Sequence, residues 1–511
     1  MTFHSILFER SEQRVGVDQR QAPAFFGDLN LDQVLASITG AREEYRLKPF
    51  FYAPLPNVEA INYRQEIFRD LKDKGLWECV RSFAQKMRSM REHLAQADKL
   101  HDKYQKESWF LDAVGIYAEA VSDLRDGLTL AEVKSRGFLA FREYLSDYVE
   151  SREFASLAAE TATLQDHLAE VTYCLQIQGN RITVSKYDSE ADYAAAVEDT
   201  FQKFKRGAVK EYRVTFPAWV EMNHVEAGIL DRVALMYPDV FQTLDSYSDR
   251  HQHYLDQTIA DFDREVQFYV AYLEYVHRFT PAGLSFCHPH VSDRSKEVSA
   301  CDTFDLALAN RLVSERSPVI CNDFYLKDPE RIFVVTGPNQ GGKTTFARTF
   351  GQLHYLASIG CLVPGTEAHL FLFDRLFTHF EREEQLSNLR GKLQDDLVRI
   401  HDILRLATPS SIVIMNEILT STTFRDALFL SKQVLAQITQ LDLLCIWVTF
   451  VDELASLSGT TVSVVSTVAP EDPTLRIYKL TRKPADGRAY AAAIAEKYGL
   501  TYDRLKGRLQ R

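Results

Sequence analysis

The sequence predicts a mixed fold: a helical N-terminal region carrying a small insertion, followed by an α/β domain. Three observations carry this reading. Apolar residues recur at helical spacing through much of the first 300 or so positions, short apolar runs alternate with helical stretches beyond them, and one such run leads directly into a glycine-rich loop. At 511 residues the chain is long enough for roughly three domains. Its apolar fraction of 46% and charged fraction of 25% are those of folded globular proteins, which excludes a disordered, collagen-like or disulfide-scaffold chain.

The elements follow in order. From about residue 30 to 180 the pattern is helical, and Val80, Phe83, Met87, Met90 and Leu94 form one amphipathic stripe, read as core. A break at Gln178-Gly-Asn-Arg precedes two predicted strands, Arg181 to Lys186 and Tyr212 to Pro217, within an insertion placed at 180–250. Helical spacing returns with Leu255, Ile259, Phe262, Val266, Val270 and Leu273 and stops at Thr280-Pro281. The helices on either side of the insertion are expected to be antiparallel partners. Buried strands are then predicted at 331–336, 411–415 and 443–449, separated by helices, which is the grammar of a sheet covered on both faces.

Charge and cysteine usage bound the partners. The formal charge of −12 opposes bulk coating of a polyanion but permits a local basic surface. Seven scattered cysteines with no CxxC pair indicate neither a disulfide framework nor a zinc ribbon, and a reducing cytoplasm is expected. The N-terminus has no signal-peptide pattern and no apolar run is long enough to span a membrane, so no membrane partner is predicted.

The strongest chemical signal is Gly337, Pro338, Asn339, Gln340, Gly341, Gly342, Lys343, Thr344, which fits G-x-x-x-x-G-K-[ST] at each fixed position, with Thr345 next. Its context fits too, since a predicted strand precedes it and a helix follows with Phe346, Phe350, Leu353 and Ala357 on one face. Glycines let the backbone wrap phosphate oxygens at a helix N-terminus whose dipole favours anions. Lys343 is expected to neutralise the terminal phosphates and Thr344 to offer its hydroxyl to Mg²⁺. A second element should be an apolar strand ending in acids, and Ile412 to Glu417 has that form. Asn416 stands where an aspartate is usual, so metal support there comes from an amide oxygen or an ordered water, while Glu417 is placed to orient the attacking water.

At these residues the sequence resembles the MutS family of mismatch-repair ATPases, within the ABC-type ATPase group. Thr336 to Thr345 is close to that family's T-G-P-N-M-G-G-K-S-T. Val319-Ile320-Cys321-Asn322-Asp323 resembles the segment that packs against adenine, Gly360 to Pro364 the G-x-x-V-P after the P-loop helix, and Met415 to Thr422 the D-E-x-x-x-x-T segment. Tyr490 to Leu509 resembles the C-terminal helices. The resemblance is strong from about 305 to 511 and weaker over 30–300. It implies a helical core and lever region at 1–300 with a clamp-like insertion at 180–250, an α/β P-loop (ABC-type) ATPase domain at 301–480, and a dimerisation segment at 481–511. It further implies ATP and Mg²⁺ as cofactors, Val319, Ile320 and Asn322 at the nucleotide, a homodimer, and DNA as the partner.

Three departures qualify the transfer. A chain of this length beginning with core-like helices has no room for the family's mismatch-reading and connector domains, so branched or otherwise unusual DNA is expected rather than single mismatches. The serine-rich signature that reaches the partner's γ-phosphate reads Ser387 to Leu393 here, with Gly391 and Lys392 at hydroxyl positions, so that Arg390 or Lys392 would supply a positive contact. The family's T-H becomes Thr449-Phe450. Together with Asn416 these predict slow or differently regulated hydrolysis.

Weaker signals remain. Phe201 to Arg213 holds five basic residues and three aromatics against one acid, and Lys203, Lys205, Arg206 and Lys210 are the candidate DNA contacts, the alternative being a solvated helix tip. Nine basic and three acidic residues lie from Tyr478 onward, read as dimerisation first and DNA contact second. Cys287-His-Pro-His290 makes a poor tetrahedral metal site and is read as an incidental loop.

Overall fold

The computed structural model describes residues 3–188, 222–381, 391–468 and 476–485. Lys203, Lys205, Arg206, Lys210 and Arg390, the predicted strand at 212–217, and 486–511 of the expected dimerisation segment lie outside these residues. The chain forms two compact units, one comprising Met1–Phe3, Leu71–Lys134 and Phe138–Asp263, the other His4–Asp70, Ser135–Gly137 and Arg264–Arg511. Position 300 falls inside the second unit. No helix among the described residues is long and apolar enough to cross a membrane.

The first unit is built on paired helices. Lys74–Ala97 and Lys103–Leu130 are N-capped by Asp73 and Asp102, whose carboxylates accept from Leu76 N and Gln105 N. They bury Val80, Phe83, Met87 and Met90 on one side and Val114, Tyr117, Val121 and Leu124 on the other. Lys86 bridges Glu119 and Asp123, both at 2.6 Å, at their rim. Phe141 stacks on Phe262 with centroids 3.6 Å apart, which anchors Arg136–Val149 to the start of Gln257–His277.

An antiparallel helix pair brackets the next segment, its second member, Pro238–Arg250, lying inside the expected insertion at 180–250. Tyr237 Oη donates to Thr172 O at 2.5 Å, and Thr161 Oγ1 meets Tyr247 Oη at 2.5 Å, so Arg152–Ala169 and Pro238–Arg250 run in opposite directions. Between them strands β1 (Tyr173–Gln178) and β2 (Arg181–Lys186) form an antiparallel hairpin turning at Gly179-Asn180. The helical reading to residue 180 is corrected here. The alternation of Tyr173, Leu175 and Ile177 with Cys174, Gln176 and Gln178 has period two, and Gly-Asn is a hairpin turn pair.

The second unit holds two sheets. A four-stranded one has the order β4 (His290–Ser292), β9 (Glu367–Phe371), β5 (Val298–Thr303), β6 (Asn322–Leu326), beside a short pair of β3 (Phe286–Cys287) and β8 (Val363–Pro364). The larger sheet has the order β10 (Leu376–Phe380), β11 (Ile412–Asn416), β12 (Leu444–Val448), β7 (Ile332–Thr336), β13 (Thr461–Val468), β14 (Arg476–Arg482). All its pairings are parallel except β13 with β14. β7, β11 and β12 are buried at every residue, as their uninterrupted apolar runs require.

One face of this sheet carries Lys392–Leu406 and Phe424–Leu441, packed through Ile400, Leu435 and Ile438 onto Met415 and Trp447. The other carries Lys343–Ser358, whose Phe346 and Phe350 meet Phe324 and Phe333. Burying such a side chain stabilises the fold by roughly 1.5–3 kcal/mol. Lys343–Ser358 is buried almost all round because residues 4–70 cover its far side. Gln352 Nε2 donates to Leu29 O at 2.8 Å, Tyr355 Oη to Phe51 O at 2.6 Å, and the fully buried Arg64 to Leu7 O and Ile359 O.

Candidate nucleotide site

The glycine-rich loop joins the end of β7 to the first turn of Lys343–Ser358, so its N–H groups lie at a long helix's positive end. Gly342 has φ +92°, a conformation that side-chain-bearing residues rarely adopt. Gly341 is required by proximity instead: a Cβ there would stand 2.2 Å from Ser466 Oγ and 2.9 Å from Pro338 O. Ser466, on β13, donates its hydroxyl to Gly341 O at 2.5 Å and so fixes the loop to the sheet.

Lys343 folds back over the loop. Its Nζ donates to Gly337 O at 2.9 Å, Pro338 O at 3.2 Å and Asn339 Oδ1 at 3.3 Å, and lies 3.5 Å from the Glu417 carboxylate. Burial pushes the ammonium's pKa below the ordinary lysine value, and Glu417 only partly opposes that.

Glu417 follows β11 with φ +53°, and Leu419 has φ +59°. Left-handed backbone at such residues costs roughly 1–2 kcal/mol each. Glu417 N donates to Val448 O at 2.9 Å, so the strained turn is pinned to β12.

Both candidate metal residues meet. Thr344 Oγ1 donates to Asn416 Oδ1 at 2.9 Å, joining the helix's first turn to the end of β11. Their oxygens are neutral and hard, which suits Mg²⁺, a cation that keeps several waters and takes few protein ligands. Among the described residues no group of three or more His, Cys, Asp or Glu is arranged to hold a metal, Cys287 to His290 included.

Lys343, Thr344 and Glu417 open onto a cavity of about 1110 Å³, whereas Asn416 is buried behind Thr344 and does not line it. Asn339 to Thr345 and Glu417 line its polar end, Leu308, Leu312, Pro318 and Ile320 its apolar end. The structure thus brings together most of the sequence-predicted residues. Gly337 and Pro338 offer their carbonyls to Lys343, Ile320 and Asn322 reach the cavity, and Val319 is half-buried beside it and does not line it. Asn322 is also structural, since its Nδ2 donates to Tyr478 O at 3.1 Å and its Oδ1 accepts from Leu480 N at 2.8 Å.

Other predicted positions stand outside the cavity lining. Gly391 is the N-cap of Lys392–Leu406, and Lys392 forms an ion pair with Glu381. Phe450 is half exposed, its ring 6.3 Å from that of Phe424. Three contributors carry no motif and escaped sequence reasoning: Ser466, Tyr478 and Arg476. The last two line the cavity, and Arg476 Nε donates to Asn339 O at 3.2 Å.

Comparison with known proteins finds similarity over the residues of this site. Residues 333–503 match the family described as MutS domain V. The chain is similar to the DNA mismatch repair protein MutS of Chlorobium limicola, 24% identical over 400 residues covering 75% of this chain and 42% of that protein. It is also similar to the DNA mismatch repair protein MutS of Halalkalibacterium halodurans, 28% identical over 186 residues, 35% of this chain and 21% of that protein. The chain therefore spans less than half the length of these curated relatives.

Proposed function

We propose that the chain is a MutS-family ATPase coupling nucleotide turnover to DNA binding in repair or recombination, a reading supported by the match of residues 333–503 to MutS domain V and by the similarity to mismatch-repair MutS proteins. The observation that carries the reading is the meeting of Lys343 and Glu417, 3.5 Å apart, at the polar end of a nucleotide-sized cavity.

The residues divide the work. Phosphate oxygens take the place of Gly337 O, Pro338 O and Asn339 Oδ1 around the Lys343 ammonium, while the N–H groups of Gly341 to Thr345 receive the remaining charge. Leu308, Leu312 and Ile320 offer an apolar wall to the base. Thr344 and Asn416 would hold Mg²⁺, which would supply positive charge against the phosphates. Glu417, released from Lys343 by the competing phosphates, orients the attacking water. Two copies of the chain close on nucleotide, with Gly391, Lys392 and Arg390 facing the other copy's γ-phosphate. The insertion at 180–250 grips DNA through Lys203, Lys205, Arg206 and Lys210. A cytoplasmic setting follows for such a repair protein.

The test is steady-state ATP hydrolysis with and without linear, mismatched and branched DNA, using Lys343→Ala as the blank. Turnover above the blank, stimulated by one DNA class, supports the reading and identifies the DNA shape. Turnover equal to the blank on every DNA rejects it.

A second reading has its own observation. Asn416 answers Thr344 with a neutral amide rather than a carboxylate, which favours an ATP-gated clamp or scaffold with little turnover. Nucleotide binding with a wild-type rate no higher than that of Glu417→Gln selects this alternative.

A further inference from the structure

The strained turn that carries Glu417 is held from two sides. Glu417 N is bonded to Val448 O, and two residues on Leu419 N donates to Asp396 Oδ2 at 3.3 Å. Both flanking residues are left-handed, and Ile418 and Leu419 are buried, so the turn between Asn416 and Thr420 is clamped at each of its unusual backbone positions.

Asp396 is itself held. Its other oxygen, Oδ1, lies 3.0 Å from Nε2 of His379, a fully buried ring on β10. The second ring nitrogen, Nδ1, has no hydrogen-bond partner among the described residues, so the polar work of this ring within them is to fix Asp396. Burial pushes the Asp396 carboxyl up, but the His379 bond and charge, the Leu419 amide and Lys392 outweigh it and hold it below the ordinary carboxylate range. The carboxylate is therefore ionised at neutral pH, and a charged acceptor makes the stronger bond to Leu419 N.

We infer that Asp396, oriented by His379, is a positioning residue for Glu417, fixing the turn that aims the acid into the nucleotide cavity. The inference rests on the ATPase reading above and extends it to a pair that no motif marks. Asp396 sits in the second turn of Lys392–Leu406, and Arg399 of the same helix donates to Phe380 O at 3.3 Å. The helix that begins at the signature residues Gly391 and Lys392 is thereby tied to β10 and, through Asp396, to the Glu417 turn.

The test separates turnover from binding. Asp396→Leu keeps the branching at the γ-carbon, though with larger terminal groups, and removes both bonds, and should lower kcat about tenfold or more while the Kd for ADP stays within about twofold. Asp396→Asn keeps an acceptor for Leu419 N and a donor for an imidazole nitrogen, and should recover kcat to within about threefold of wild type. An Asp396→Leu kcat equal to wild type overturns the inference. So does a folded Asp396→Leu whose ADP affinity falls in proportion to kcat, or an Asp396→Asn as slow as the Leu variant. If circular dichroism shows Asp396→Leu unfolded, the His379 pair decides: His379→Leu slow and His379→Gln near wild type is expected, and equal rates overturn it. Wild-type turnover no higher than Lys343→Ala overturns the ATPase reading and this inference together, whereas every other adverse outcome leaves the ATPase reading intact.

Discussion

Thr344 and Asn416 are joined side chain to side chain, the threonine hydroxyl donating to the amide oxygen at 2.9 Å, so the first turn of the phosphate-loop helix is tied to the end of β11 by a neutral bond. A carboxylate at the same place accepts the same hydroxyl and adds a charge for the metal. Asn416→Asp is therefore expected to lower the Mg²⁺ concentration giving half-maximal ATP turnover by roughly three- to tenfold, because hard cations bind carboxylate better than amide. A magnesium titration of the hydrolysis rate checks this. An unchanged midpoint would remove Asn416 from the metal site.

Gly341 leaves no room for a methyl group. The ideal Cβ lies 2.2 Å from Ser466 Oγ and 2.9 Å from Pro338 O, and the second of these is backbone of the loop itself. Gly341→Ala should deform the loop at a cost of about 1–3 kcal/mol, which weakens ADP binding roughly five- to 150-fold if the loss falls on the bound state. Ser466→Gly in the same chain relieves the first clash only, so partial recovery is expected by calorimetric titration. Wild-type affinity in Gly341→Ala would show that the loop's amides do not hold nucleotide.

Much of this architecture was legible because its physics is local. β7, β11 and β12 stand out as uniformly apolar runs, and the loop after β7 is legible because wrapping phosphate demands glycines at fixed spacing. What was not legible depends on contacts distant in sequence. The stripe of Phe346, Phe350 and Leu353 shows one buried face of its helix. Nothing local shows that Gln352, His354 and Tyr355 are buried as well, under residues 4–70. Residues 4–70 therefore read as part of a helical region although they share a compact unit with the sheet. His379 and Asp396 are 17 positions apart with no repeat or motif linking them, and only the parallel pairing of β10 with β11 brings them under the Glu417 turn.

His354 predicts how stability depends on pH. It is fully buried, with Nδ1 2.9 Å from Phe350 O, and burial lowers its pKa from 6.5 to about 4. Between these values the unfolded chain binds a proton that the folded chain refuses, so stability rises with pH through that window and is lost as pH falls from about 6.5 toward 4. The full contribution is about 3 kcal/mol. Urea unfolding of wild type should show a midpoint that drops across this range, and His354→Leu should flatten the drop. A slope unchanged by the substitution would place the pH dependence elsewhere.

Lys392 decides whether the departed signature still supplies a positive charge across a dimer. It now pairs with Glu381, the residue that follows β10, and both side chains are partly exposed. An ion pair of that kind is worth about 0.2–1 kcal/mol, so moving Lys392 to a phosphate costs little. Removing the competitor should favour the move: Glu381→Gln is expected to raise ATP turnover by up to about fivefold, the factor that 1 kcal/mol allows. Lys392→Ala should lower turnover, and adding Glu381→Gln to it should have no further effect, since the two act on one charge. Rates in the single and double variants, measured at protein concentrations spanning dimer formation, check this. If Lys392→Ala turns over as fast as wild type, the positive contact comes from another residue, and the Glu381 pair is a surface interaction of the free subunit.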